Sequence, residues 1–165
     1  MDEQTKTAIG FFNYAHSYCK SAIALHEADV KATHPDGPVY YLFYHSIELY
    51  LKSYLLANGI SSDDLAKRFG HRTRKLANKA KEFGLVLTEV DELVVTQMAK
   101  SDNVISSRYL RLGTHQLLPI VVYHETCFRL HEAIGPVAYE ASGVARRPIL
   151  QPPKINSLIG HNSRS

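Results

Sequence analysis

A chain of 165 residues, 45% hydrophobic and 21% charged, has the length and composition of one folded domain with a real core, which excludes wholesale disorder. The formal net charge of +3 does not imply a general nucleic-acid-binding surface, because residues 141–165 hold Arg146, Arg147, Lys154 and Arg164 with no acid and leave the body near neutral. No apolar run approaches the roughly 20 residues that cross a bilayer, and Met1-Asp2-Glu3-Gln4 is unlike the basic start of a secretory signal.

The first predicted element runs from Glu3 to about Ala32. Ala8, Phe11, Ala15, Tyr18, Ala22 and Leu25 alternate spacings of three and four, which is one face of an amphipathic helix, and Phe12, Cys19 and Ile23 widen the stripe. Pro35-Asp36-Gly37-Pro38 stops it. Pro38 also suits the first turn of the next helix, where its missing N–H costs nothing. That second helix runs to Ala57 and closes at Asn58-Gly59. It is apolar around most of its girth, with Tyr40, Phe43, Tyr44, Ile47, Leu49, Leu51, Leu55 and Leu56, so it is predicted to be central.

Ser61-Ser62-Asp63-Asp64 opens a short helical turn through Phe69, broken by Gly70-His71. A third long segment, Arg72 to Phe83, turns Leu76, Ala80 and Phe83 inward and ends at Gly84. Thr88-Glu89-Val90-Asp91 starts a fourth as a capping box, continued by Leu93, Val94 and Met98 to about Lys100. Residues 101–114 read as an irregular polar connection. A fifth helix carries Ile120, Tyr123, Cys127, Leu130, Ile134 and Val137 on one face. Pro119 marks its first turn or kinks it, and it weakens after Gly135-Pro136. The expectation is an all-α, up-and-down bundle of about five helices over residues 1–142, followed by a flexible, basic, disordered tail over 143–165. Cys19 and Cys127 fall in separate apolar stripes and read as buried reduced thiols, which points to the cytoplasm.

Three groups of residues carry chemistry. On the second helix Tyr41, His45, Glu48 and Lys52 are spaced four, three and four apart and form one polar stripe. It is either a solvated face or, because the other faces are so apolar, the lining of a groove or interface. Lys67, Arg68, His71, Arg72, Arg74, Lys75, Lys79 and Lys81 form a basic block relieved only by Glu82. Such a block is either a solvated helix face or a phosphate-attracting patch. His124, Cys127 and His131 share a face of the fifth helix. The histidines stand two turns apart, too far for one ion without a ligand from elsewhere, so packing is expected there and neither a metal site nor a cofactor.

The run His45-Ser46-Ile47-Glu48-Leu49-Tyr50-Leu51-Lys52-Ser53-Tyr54-Leu55-Leu56 with Asn58-Gly59 resembles the second helix of HEPN (higher eukaryotes and prokaryotes nucleotide-binding) domains. Gly70-His71 with Leu76, Ala80 and Gly84 resembles the Gly-His turn and following helix of bacterial members, and Ser107-Arg108-Tyr109 the Arg-Tyr before their last long helix. The resemblance covers about residues 5–140. It implies a HEPN-like bundle, a homodimer, and a groove of Tyr41, His45, Glu48, Lys52, Tyr109 and Arg111.

Two functions follow from that resemblance. One is a nucleotide-, RNA- or protein-binding module, half of a two-component toxin–antitoxin or defence system, with a separate nucleotidyltransferase-type partner. The other is a metal-independent endoribonuclease in which Arg108 holds the phosphate and His115 moves the proton at a dimer cleft. A purely structural partner is the third option. Arg108 and His115 have six residues between them, and Tyr109 and Gly113 depart from the pattern of active members.

Overall fold

Burial is densest on the second helix, and the rest of the molecule is arranged around it. The computed structural model describes residues 7–100 and 117–154. Its elements are α1 (Ala8–Glu27), α2 (Asp36–Ala57), α3 (Ser62–Asp64), α4 (Thr73–Glu82), α5 (Glu89–Ala99) and α6 (Ile120–Ser142), with Leu65–Phe69 wound as a π-helical turn after α3. Among the described residues every regular element is helical, so the chain is all-α.

Thirteen of the 22 residues of α2 are buried, which makes it the axis of the bundle. Four of its tyrosines bury their rings and still pair their hydroxyls, as buried phenols must. Tyr40 donates to the Leu118 carbonyl at 2.9 Å, Tyr44 pairs with the Tyr123 hydroxyl at 3.3 Å, Tyr50 meets His131 Nδ1 at 2.9 Å, and Tyr54 donates to the Phe83 carbonyl at 3.0 Å. The first three partners, Leu118 just before α6 and Tyr123 and His131 on it, advance along the chain as the tyrosines advance along α2, so the two helices run parallel.

Against α1 the seam is antiparallel and close. Ser46 Oγ donates to the Ala15 carbonyl and Ser53 Oγ to the Ala8 carbonyl, each at 2.7 Å. A side chain reaching another helix's backbone is possible only because serine and alanine meet there. Asp91 ties α5 to α6: it is nearly fully buried, closes the capping box with Thr88, and takes the Arg129 guanidinium at 2.6 Å. Burial pushes this carboxyl up, but the Arg129 and Thr88 hydrogen bonds outweigh it and hold it below the usual carboxylate range. No buried side-chain nitrogen or oxygen lacks a partner among the described residues.

Several expectations are corrected. The first helix is shorter, because Thr7 caps it by accepting from the Gly10 N–H and Ala28 closes it. Phe83 and Leu93 face outward, the first 38% and the second 56% exposed, while Asp91 and Val95 turn inward on α5. Pro119 stands just before α6 as its N-cap residue, and Pro136 lies inside a helix that runs on to Ser142.

The largest correction concerns the tail. Residues 144–154 lie as an extended strap across α1 and α6, antiparallel to α6, with Leu150 only 3% exposed. Composition predicted disorder because the segment has no apolar periodicity. One buried leucine and hydrogen bonds from imidazoles dock it without any.

Candidate functional site

The polar stripe of α2 begins at its exposed end with Tyr41, whose ring stacks on His45 at 6.1 Å. Tyr18 of α1 meets the same imidazole edge-on at 4.4 Å. Burial, with the Lys52 and His71 charges, pulls His45 below the ordinary imidazole value against the pull of Glu48. One turn on, Glu48 is almost enclosed. Its Oε1 accepts from Lys52 Nζ at 2.6 Å and from His71 Nδ1 at 2.9 Å. Burial pushes Glu48 up, yet the His71 hydrogen bond and the Lys52 charge outweigh it and hold the carboxyl below its ordinary value.

The solvated-face reading of this stripe fails at its centre, since the Glu48 and Lys52 side chains are only 11% and 12% exposed. His71 delivers its imidazole to Glu48 because Gly70 takes φ 55°, where a side chain would be strained, and so turns the chain back between the π turn and α4. Periodicity along α2 could not find His71, which comes from another element. The Gly70-His71 dipeptide was its only sequence signal.

The basic block divides in two. On the side of α4 that meets α5, Arg74 and Lys81 both reach Glu92 of α5, at 2.7 and 2.5 Å, and Arg74 also holds Thr96. Lys79 pairs with Glu82 at 2.6 Å and lies over the Phe83 ring. Those cations hold α5 in place. Elsewhere in the block Arg68, Arg72 and Lys75 are exposed and none meets a carboxylate among the described residues. Arg72 donates instead to the backbone carbonyls of Phe69 and Arg68, at 3.2 and 2.6 Å, which fixes its position without cancelling its charge. Lys67 approaches Asp63 only at 3.8 Å, with both side chains in water. An uncancelled positive surface therefore surrounds the Gly70-His71 turn, beside the Glu48–Lys52 pair.

Arg108, Tyr109, Arg111 and His115 lie outside the described residues, so the ribonuclease pair and half of the expected groove have no geometry here. His124, Cys127 and His131 do share the inward side of α6. Cys127 is buried against Ser46, both histidines meet carbonyls of the strap, and His131 also meets the Tyr50 hydroxyl. Among the described residues no three histidine, cysteine or carboxylate side chains are placed to hold a metal ion. No described helix is long and apolar enough to cross a membrane.

Fold and site together define an all-α bundle with an enclosed carboxylate–lysine–histidine cluster at the edge of a local cationic surface. No family model, curated protein or solved structure matches the chain.

Proposed function

We infer that the protein is a binding module for phosphate-bearing ligands, RNA or a nucleotide, engaged at the surface around the Gly70-His71 turn. The observation that carries this reading is the division of the basic block. Arg74, Lys79 and Lys81 are consumed by Glu92 and Glu82, whereas Arg68, Arg72 and Lys75 keep their charge facing water. A solvated helix face has no reason to sort its cations in this way. Exposed guanidinium and ammonium groups on a near-neutral body attract phosphate by releasing its counterions. The HEPN resemblance fits this binding role and adds the endoribonuclease alternative through Arg108 and His115.

The test is fluorescence anisotropy of labelled single-stranded RNA at several salt concentrations. Three phosphate contacts predict a log–log salt slope of about −2. Arg68→Ala/Lys75→Ala should reduce the slope to about −0.7 and weaken binding at least tenfold at low salt. Arg74→Ala/Lys79→Ala should leave the slope unchanged, provided circular dichroism shows an intact fold. Equal losses in both variants, or no RNA binding by the wild type, would remove the reading. The same incubations report on cleavage: products ending in 2′,3′-cyclic phosphate that vanish with His115→Ala would favour the enzyme instead.

A further inference from the structure

The strap is held by a receptor whose parts come from three separate features of α1 and α6. The first is a notch. An added Cβ at Gly135 would stand 2.5 Å from Arg147 Cδ and 2.6 Å from its Nη1, so the arginine side chain lies where any other residue would place an atom. The second is a pair of acceptors. Pro136 has no N–H, which frees the carbonyl of Glu132, four residues earlier, from the helical ladder. Arg147 Nη1 donates to that carbonyl at 3.5 Å, and Nη2 reaches the Glu132 carboxylate at 3.2 and 3.3 Å. Gly135-Pro136, read in the sequence as a weakening of the helix, thus builds an arginine site within it.

The third part is a row of imidazoles. His131 Nε2 donates to the Pro148 carbonyl at 2.9 Å, His16 Nε2 to Ile149 at 3.2 Å, and His124 Nε2 to Gln151 at 3.0 Å. A carbonyl can only accept, so each Nε2 carries the proton. For His131, Nδ1 is then the acceptor for the Tyr50 hydroxyl. Leu150 sits between these contacts, buried. Side chains of the body grip strap backbone at three carbonyls and read two strap side chains, Arg147 and Leu150. The connection from α6 is a left-handed Gly143 followed by exposed Val144 and Ala145, with no side-chain anchor of its own.

We propose that this face of α1 and α6 is a peptide-recognition groove for an extended segment of a partner protein with an arginine three residues before a leucine, which the chain's own Arg147–Leu150 fills in cis. Every determinant is supplied by the groove, so a free segment with the same pattern meets the same contacts. Covalent attachment gives the strap an effective concentration on the order of millimolar, so the groove opens to a partner only when the strap lifts. This site is independent of the phosphate-binding surface, which uses other residues.

The experiment uses the full chain with Arg147→Ala/Leu150→Ala, which empties the notch and leaves the groove intact, and a fluorescein-labelled peptide copying residues 146–152. Anisotropy should show binding at least tenfold tighter than to the wild type, whose strap competes. A peptide with alanine in place of the notch arginine should bind at least tenfold more weakly. Adding Gly135→Ala to the opened variant fills the notch and should reduce binding similarly while RNA binding is unchanged. Should the double variant fail to fold, Arg147→Ala alone, which keeps the Leu150 anchor, is titrated under the same expectations. A folded variant that ignores the peptide, or binding indifferent to the arginine or to Gly135→Ala, overturns the proposal. Concentration-dependent dimerisation of the wild type that Arg147→Ala abolishes also overturns it, assigning the groove to a second copy's strap.

Discussion

On the α2–α4 face His71 is half exposed and donates to a carboxylate, whereas on the α1–α6 face His131 is fully buried and donates to a backbone carbonyl. The partner decides what a proton does at each place. Glu48 is negative, so positive charge beside it is welcome, and Lys52 supplies a second one. Pro148 offers only a dipole. Burial, helped by the neighbouring His16 and Arg147, holds His131 down to about 4 against the Pro148 hydrogen bond and Glu132, which pull it up. His16 and His124 are pulled down as well, first by burial. One face is built on paired charge and the other on imidazoles kept neutral, so the two should respond differently to truncation and to acid.

The largest expected effect is on the neutral face. His131→Ala removes a ring packed against Phe12 and Tyr50, leaves a cavity, and strands the Tyr50 hydroxyl and the Pro148 carbonyl. Its expected cost is about 4 kcal/mol, to be checked by denaturant unfolding. A loss below about 1 kcal/mol would mean that the strap and its histidine are not part of the core.

Acid is the next test. A histidine with a depressed folded pKa contributes stability that is complete above about pH 6.5 and is lost as the pH falls toward its folded value. For His131 that window runs from about 6.5 down to about 4 and is worth about 3 kcal/mol. Unfolding free energy measured across this range should decline, and His131→Gln, which cannot titrate, should flatten the decline. A wild type equally stable at pH 6.5 and pH 4 contradicts the neutral-imidazole account.

Leu150→Ala comes third. The leucine is the only strongly buried apolar side chain of the strap, and its truncation should cost about 2 kcal/mol and expose the Val144–Ala145 connection to limited proteolysis. An unchanged melting temperature and cleavage pattern would restore the expectation that the whole tail is loose.

These effects fall where the sequence was least readable. The central α2, the Thr88–Asp91 capping box and the turn after α3 follow from periodicity and capping chemistry, which are local. The α1–α2 seam was missed because its signal is two serines seven residues apart, Ser46 and Ser53, inside an apolar run. The strap was missed for a deeper reason. Its carbonyls are the same in every residue, so nothing in residues 144–154 announces that His16, His124 and His131 will hold them. The alignment of His124 and His131 on one helical face was visible, but not what they face. At the polar stripe Glu48 and Lys52 were legible as a pair. His71 became their third member only through the turn at Gly70.

The smallest expected change is on the charged face, and it sharpens the contrast most. His71→Ala removes one of two donors to Glu48 from a half-exposed position, while Lys52 remains. The stability cost should be about 0.5–1 kcal/mol, since water can replace the lost donor. The carboxyl should respond more clearly than the fold. Burial already pushes Glu48 up, and the hydrogen bond from His71 is the leading influence that pulls it down. Without it the folded pKa rises toward or above the ordinary value. The sign follows from linkage: a depressed carboxylate contributes stability that is present above its unfolded pKa and lost as pH falls through the folded one. His71→Ala should therefore bring acid destabilisation from this face to a higher pH, with a parallel upward move of the Glu48 carboxyl carbon midpoint in an NMR titration. His71→Gln, which can still donate a hydrogen bond, should recover part of the shift. A Glu48 midpoint unmoved by His71→Ala would leave Lys52 as the only group that holds this carboxylate in its charged form.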